Sequence, residues 1–384
     1  MARLRQQLAE KRSHDLYRQR RVIGSPQQVE LLSNGKALLG FCSNDYLGLA
    51  NHPDIARAMK RGIDRWGVGS GAAHLITGHT AAHHALEEEL AEWLGRERAL
   101  LFSTGYMANI GVISALTRRG DKLFEDRLNH ASLIDGGLAS SAAFHRYQHA
   151  DTAMLDEQLC AVESGNRMVV SDGVFSMDGD IAPLPQLTAC CEQHDALLMV
   201  DDAHGIGVLG EQGRGCTDSY TQQQIPVLMA TLGKSFGVFG AFVSGSETLI
   251  ETLIQDARSW IYTTAPPAAM AEALREALKI VINDGWRRDH LQQLISRFRQ
   301  GAGQLGLPLM PSETPIQPLV VGDAGRALRW SSALAEHGIL VTAIRPPTVP
   351  QGSARLRITF SATHTAEHVD QLLDALDQIQ QQDH

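Results

Sequence analysis

The chain has 384 residues, 43% of them hydrophobic and 20% charged, with a net charge of −9. That length carries a large core and more than one domain, and that composition suits a globular protein. With basic residues clustered only in the N-terminal arm, nucleic acid is excluded as a partner. No window approaches the ~18 apolar residues of a membrane span, so no membrane association is expected.

The arm, "MARLRQQLAEKRSHDLYRQRR", reads as an amphipathic helix with Leu4, Leu8 and Leu16 turned inward. Its acids, Glu10 and Asp15, argue against a transit peptide. From about residue 50, helical and strand patterns alternate. "TAAHHALEEELAEWLG" is an amphipathic helix with a glycine stop, and "RALLFSTG" is a strand. "MVVSDGVFSMDG" starts as a strand and becomes a loop. "LPQLTACCEQHD" is a helix, and "ALLMVDDAHG", "VLMATLG" and "GAFVSG" are strands. Such alternation predicts a mostly parallel sheet covered by helices on both faces. Beyond Pro266-Pro267 the pattern changes to two long helices, from about Ala268 and from Trp286. Short strands at "PIQPLVVG" and "ARLRITFS" follow, then a last helix, "HTAEHVDQLLDALDQIQ". The expected organisation is an arm over 1–45, a large α/β domain over 46–267 and a smaller α+β domain over 268–384. The five cysteines, Cys42, Cys160, Cys190, Cys191 and Cys216, have no C-x-x-C spacing. They fit a reducing compartment, the cytoplasm, with neither disulfides nor a zinc knuckle, and no metal is expected.

Two phosphate-binding patterns are present and neither holds in context. "TLGKSFG" ends like a P-loop, but the position that needs the first glycine is Leu228, and the run before it is a buried strand. "GIGVLG" matches the dinucleotide fingerprint, but no helix is legible after it to supply free N–H groups, and no acid follows about 20 residues on. His79 and His83 are spaced as though on one side of the helix that starts near Thr80; with no glutamate between them, they read as surface or partly buried histidines rather than ligands.

Lys234, past the end of its strand, reads on its own as a solvated loop charge. Asp201 and His204 in "VDDAHG" end another buried strand, where polar residues need a reason. A metal pair would be one reason, and a carboxylate and imidazole holding an aromatic cofactor another. Two strand ends of one sheet bring Asp201, His204 and Lys234 toward one crevice. The trio has a chemical logic. A lysine amine forms a Schiff base with an aldehyde cofactor. Pyridoxal phosphate works as an electron sink when a carboxylate keeps its ring nitrogen protonated. "STGYMAN" is a strand-to-helix turn suited to a phosphate, and "RLNHASL" places His130 in a loop, available to stack on a flat ring.

The string of "SNDYLGL", "GSG", "STGYMAN", "NHAS", "GVFSMDGD", "VDDAHGIGVLGEQGRG", "TLGKSFG" and "IRPPTVPQGSARLRI" resembles the α-oxoamine synthases, in order and over almost the whole chain. The resemblance implies a fold-type I enzyme dependent on pyridoxal 5'-phosphate. It matches Lys234 to the Schiff-base lysine, Asp201 to the acid at the pyridine nitrogen and His204 to the partner of the phenolic oxygen. It also matches His130 to the ring-stacking histidine. Gly105 and Tyr106 match the turn that holds the cofactor, with Ser176 and Thr231 completing the site. Arg357 resembles the arginine that grips the amino-acid carboxylate. "AIRPPTVP" looks most like the family member of biotin synthesis, which joins L-alanine to a pimeloyl thioester carried by CoA or acyl-carrier protein. Arg18 and Thr348 fall where that member contacts its acyl substrate. Its sisters make 5-aminolevulinate, 2-amino-3-ketobutyrate or the sphingoid ketone. The resemblance further implies a homodimer. Two departures stand out: Ala72, Ala73 and His74 replace the more usual Gly-Gly-Ser with Arg or Gly, and Tyr106 replaces a phenylalanine.

Overall fold

The computed structural model describes residues 1–13 and 16–383. The chain forms two compact units, residues 1–48, 177–179 and 289–384 in one and residues 49–176 and 180–288 in the other.

The larger unit is built on a seven-stranded sheet. Its spatial order is Arg98–Phe102, Ala241–Gly245, Val227–Thr231, Ala196–Asp201, Arg167–Asp172, Lys122–Asp126 and Ala143–Tyr147. Ala241–Gly245 runs antiparallel to both of its neighbours, and every other pairing is parallel. The fold class is the expected one, fold-type I with a mostly parallel sheet between helices. Two strands went unread in the sequence, "KLFED" and "AFHRY".

The apolar runs of the central strands divide by alternation. Met168, Val170, Met199, Val227 and Met229 enter one core, under the helix Gly105–Leu116. Val169, Leu198 and Val200 enter the other, with Leu155, Leu159 and Leu187. A strand buried on both faces needs no polar alternation, so the run looks uniformly apolar. Each fully buried Leu, Val or Met contributes about 1.5–3 kcal/mol. This two-sided burial decides which end residues face which helix. Asp172, Asp201 and Thr231 continue the series of Val170, Met199 and Met229, so they lie on the face covered by the helix Gly105–Leu116. Asp202 falls on the other face.

The boundary of the larger unit lies later than residue 267. The helix Ala268–Asn283 belongs to it because it packs on the helix Pro53–Trp66, so closely that a Cβ at Gly62 would stand 2.8 Å from Ala269 Cα.

The smaller unit pairs the start of the chain with its end. The hairpin Glu30–Ser33 and Lys36–Gly40 takes Ile339–Leu340 as a parallel third strand. A second antiparallel sheet holds Ile316–Gly322, Ala354–Thr359 and Thr342–Ile344 in the order first, second, third. The segment 177–179 joins this unit through Gly179, whose carbonyl accepts from Ser312 Oγ at 2.8 Å and Thr314 Oγ1 at 3.0 Å. The N-terminal helix is Ala2–Ser13, but the expected inward turn of its leucines does not occur. Leu4, Leu8 and Leu16 are 53%, 44% and 40% exposed. Two leucines one turn apart among Arg, Gln and Glu make too narrow an apolar strip to seat the helix on its own unit. Asp15 lies outside the described residues. No helix among the described residues is long and apolar enough to cross a membrane.

Candidate active site

The C-terminal ends of the central strands carry the candidate residues of the larger unit. Asp201 closes its strand, and Asp172, its register partner on the next strand, lies beside it. Both are buried. Asp201 Oδ1 accepts from the Ala203 N–H at 3.0 Å, and Oδ2 accepts from Asn109 Nδ2 at 2.8 Å. The second hydrogen of that amide goes to Ser132 Oγ, also at 2.8 Å. Ser132 Oγ in turn lies 2.7 Å from His130 Nδ1. A continuous chain of donors therefore runs from Asp201 through Asn109 and Ser132 to His130. It makes Nδ1 of His130 the acceptor and leaves the proton on Nε2. Asn109 Oδ1 is buried and unpaired.

His130 is the N-cap of the helix Ala131–Ala139, and its backbone N–H donates to Asp172 Oδ2 at 2.7 Å. Burial pulls the imidazole below its ordinary range; the charge of Asp201 opposes this and that of Lys234 adds to it. The Asp172 carboxyl is pushed well up by burial and by Asp201, with the His130 N–H and Lys234 opposing. Lys234, half-buried just past Thr231, thus acts on the same two groups as Asp201.

Gly105 opens the helix Gly105–Leu116 against the end of the Lys234 strand. A Cβ there would stand 2.6 Å from Thr231 Cγ2, so only glycine allows the approach. Thr104 caps the helix by accepting from the Met107 N–H at 3.1 Å. The first two N–H groups, of Gly105 and Tyr106, are left for an outside acceptor at the positive end of the helix. The Tyr106 ring is exposed and its hydroxyl donates to Asp135, which gives the extra oxygen relative to phenylalanine a partner. Thr231 Oγ1 donates to Ala203 O at 3.5 Å. His204 is buried three residues past Asp201, and Ser176 is half-buried past the strand Arg167–Asp172.

The remaining expected residues lie in the smaller unit. Arg357 is buried on the strand Ala354–Thr359, with Nη1 donating to Asn44 Oδ1 at 3.1 Å. Tyr46 donates to the same oxygen at 3.3 Å. Arg18 and Thr348 are exposed, on separate stretches of chain.

The glycine-rich run after Asp202 serves a carboxylate of the protein itself. Only a three-residue 3-10 turn, Glu211–Gly213, follows "GIGVLG", with no α-helix behind it; the run folds around Asp202, which accepts from Cys216 N at 2.8 Å and Cys216 Sγ at 3.0 Å. A Cβ at Gly205 or Gly215 would collide with that carboxylate. Burial pushes the Asp202 carboxyl up to about 7, against the Cys216 donors. Between the ordinary value near 4 and pH 7 the native state keeps a proton that the unfolded chain has released. The Asp202 contribution to stability is therefore full below about pH 4 and lost as pH rises toward 7, by up to about 4 kcal/mol. The Asp202→Asn variant is expected to lose less of its urea midpoint than the parent between pH 5 and pH 8; equal losses would assign the decline elsewhere.

The histidine pair departs from its expected placement. The helix begins at Ala81, after the N-cap Thr80, so His79 lies outside it and the two do not share a helix face. His83 is fully buried: its Nδ1 accepts from the Thr80 N–H at 3.1 Å and its Nε2 donates to Pro266 O at 2.8 Å. The divergent His74 begins a single π-turn, His74–Gly78, and stacks on Trp260 with ring centroids 5.0 Å apart. Burial takes it down to about 3.

Asn109, Ser132 and Asp172 were not singled out from the sequence. Asn109 lies four residues after Gly105, one helical turn on, which is the signal that places it on the same face.

The model of the family Aminotransferase class I and II matches residues 36–376. The 8-amino-7-oxononanoate synthase of Thioalkalivibrio sulfidiphilus (strain HL-EbGR7) is 59% identical over 377 residues, 97% of this chain and 96% of the relative. Among solved structures, the serine palmitoyltransferase of Sphingomonas wittichii aligns with a TM-score of 0.93 at 30% identity, covering 98% of this chain and 96% of its own. The 8-amino-7-oxononanoate synthase of Francisella tularensis aligns with a TM-score of 0.79 at 32% identity, covering 90% and 98%. The chain belongs to the aminotransferase class I and II family, and within it to the family of the 8-amino-7-oxononanoate synthases.

Proposed function

We propose that the chain is a pyridoxal 5'-phosphate-dependent acyltransferase of biotin biosynthesis. It condenses L-alanine with a pimeloyl thioester, of CoA or of acyl-carrier protein, to 8-amino-7-oxononanoate, CO2 and free thiol. The observation that carries the reading is the grouping on one sheet edge of a buried, doubly hydrogen-bonded Asp201, Lys234, His130 and an open helix N-terminus at Gly105. These residues fit the cofactor: a glycine cradle and two unclaimed N–H groups suit a phosphate, and Asp201 suits a pyridinium nitrogen.

In this assignment Gly105 and Tyr106 hold the phosphate, with Ser176 and Thr231 beside it. Asp201 would hold the ring nitrogen, His204 the phenolic oxygen and His130 the ring face. When bound, the cofactor supplies an electron sink for the pair released at the alanine Cα. Lys234 would hold the cofactor aldehyde, and its Nζ would receive the alanine Cα proton. The Asn109–Ser132 bridge sets the orientation of Asp201 and His130 together. Arg357 takes the alanine carboxylate, and Arg18 and Thr348 serve the acyl substrate.

A cytoplasmic homodimer is the proposed form, the exposed leucines of the N-terminal helix being apolar surface that assembly would cover. The deciding assay offers alanine, glycine and serine with pimeloyl-CoA and with pimeloyl-acyl-carrier protein. Thiol release with alanine, and a product of the mass of 8-amino-7-oxononanoate, is the expected result. Turnover with glycine or serine in preference to alanine would assign a sister synthase activity instead.

A further inference from the structure

A second group of chemically matched side chains lies at the other end of the sheet. The helices Thr152–Cys160 and Leu184–Gln193 pack side by side, with Leu155, Leu159, Leu187 and Cys191 buried in one core. Cys190 and His194 are four residues apart at the end of the second helix, so they share one face. Asp156 of the first helix faces them. His194 Nε2 lies 2.7 Å from Asp156 Oδ1, and Cys190 Sγ lies 3.8 Å from the same oxygen. All three donors fall within 4.8 Å of one another. Gln193 Nε2 lies 3.5 Å from His194 Nε2.

We propose that Asp156, Cys190 and His194 form a binding site for a borderline-soft divalent cation, zinc by its chemistry, that clips the two helices together. Thiolate, imidazole and carboxylate are the ordinary zinc donors, and three of them leave one position for water. Donors around a tetrahedral zinc lie roughly 3.3–3.7 Å apart, given bonds of about 2.0–2.3 Å. The three atoms reach that spacing by side-chain rotation: the Asp156–His194 pair opens and Cys190 Sγ closes. The helices that carry them are fixed by their own core, so the backbone positions are set and only the side chains adjust. The half-exposed Asp156 side chain leaves a path for entry, while Cys190 is buried. A thiol that takes up the metal gives its proton to solvent, so affinity rises with pH.

The site stands at the start of the strand Ala196–Asp201, whereas Lys234 follows the far end of the neighbouring strand. The six-residue strand separates them by about 20 Å. Zinc here is expected to stabilise the protein without changing the cofactor absorbance. A different cluster, His79, His84 and Glu87, is less suited. Its Glu87 already accepts from the Leu101 N–H at 2.8 Å, and burial pushes its carboxyl up to about 8. It serves as the internal comparison.

The test loads the cofactor-bound protein with zinc alone, removes excess by gel filtration and counts metal per chain. The parent is expected to keep about one zinc, Cys190→Ala and His194→Ala to lose it, and His84→Ala to keep it. Cobalt loading of the parent supplies a readout independent of variant folding: an intense thiolate-to-cobalt absorption band. Retention of zinc by Cys190→Ala at the parent level, no retention by the parent, or a cobalt spectrum without thiolate character would each overturn the site.

Discussion

Replacing Lys234 with alanine is expected to lower kcat by at least about 10⁴-fold, because the proposed assignment asks one amine to hold the cofactor and to move the Cα proton. Two measurements separate those duties. Borohydride reduction followed by intact mass should show covalent cofactor on the parent and none on the variant. Exchange of the alanine Cα proton in heavy water, without acyl substrate, should be seen for the parent and be lost in the variant. A third readout needs no turnover. Lys234 lowers the His130 imidazole through its charge, so the variant should titrate His130 at higher pH than the parent in the cofactor-free protein. If His130 does not move, Lys234 points away from the cluster. If the variant still carries reducible cofactor or exchanges at the parent rate, the lysine has another role.

The strand-end residues were legible because buried strands reveal their ends: an apolar run stops and a charge begins. Asp201, His204 and Lys234 follow such runs directly, and Gly105 and His130 follow recognisable strand-to-helix turns. What escaped is what depends on faces and register. Asn109 reads as an ordinary helix residue until the alternation of Met199 and Val200 places Asp201 under that helix. Asp172 reads as the polar end of a strand until register sets it beside Asp201. The strand Ala143–Tyr147 was missed because it is an edge, exposed along most of its length, so its sequence carries no buried run. Lys122–Asp126 was missed for the opposite reason: its buried Glu125 and Asp126 break the apolar pattern that marks its neighbours. The glycine fingerprint could be rejected from the sequence but not reassigned, because glycine reports close approach without saying to what. Here the neighbour is Asp202, on the face opposite the candidate site.

That same division of faces makes Asp201 the residue whose charge can be removed with the least disturbance of shape. Asp201→Asn keeps the side-chain volume and still accepts from the Ala203 N–H through its one oxygen, and its new NH2 finds an acceptor in Asn109 Oδ1 once the Asn109 amide turns over. The expected loss in kcat/KM is about 10³-fold, roughly 4 kcal/mol, the worth of about three pH units of preference for a protonated ring nitrogen at this position. An amide that merely loosened packing would lower the rate equally at all pH values. Loss of the charge makes the rate rise as pH falls, since the proton that Asp201 secures must then come from solvent. Asn109→Leu is the companion variant. It keeps the Asp201 charge but removes one donor to the carboxylate and the bridge to Ser132, so a loss of about tenfold is expected, in line with one hydrogen bond to a charged group. An Asp201→Asn protein within tenfold of the parent, with an unchanged pH profile, would mean that Asp201 does not face the reacting ring. The buried acid would then be a structural anchor for the Gly105–Leu116 helix, held there by Asn109.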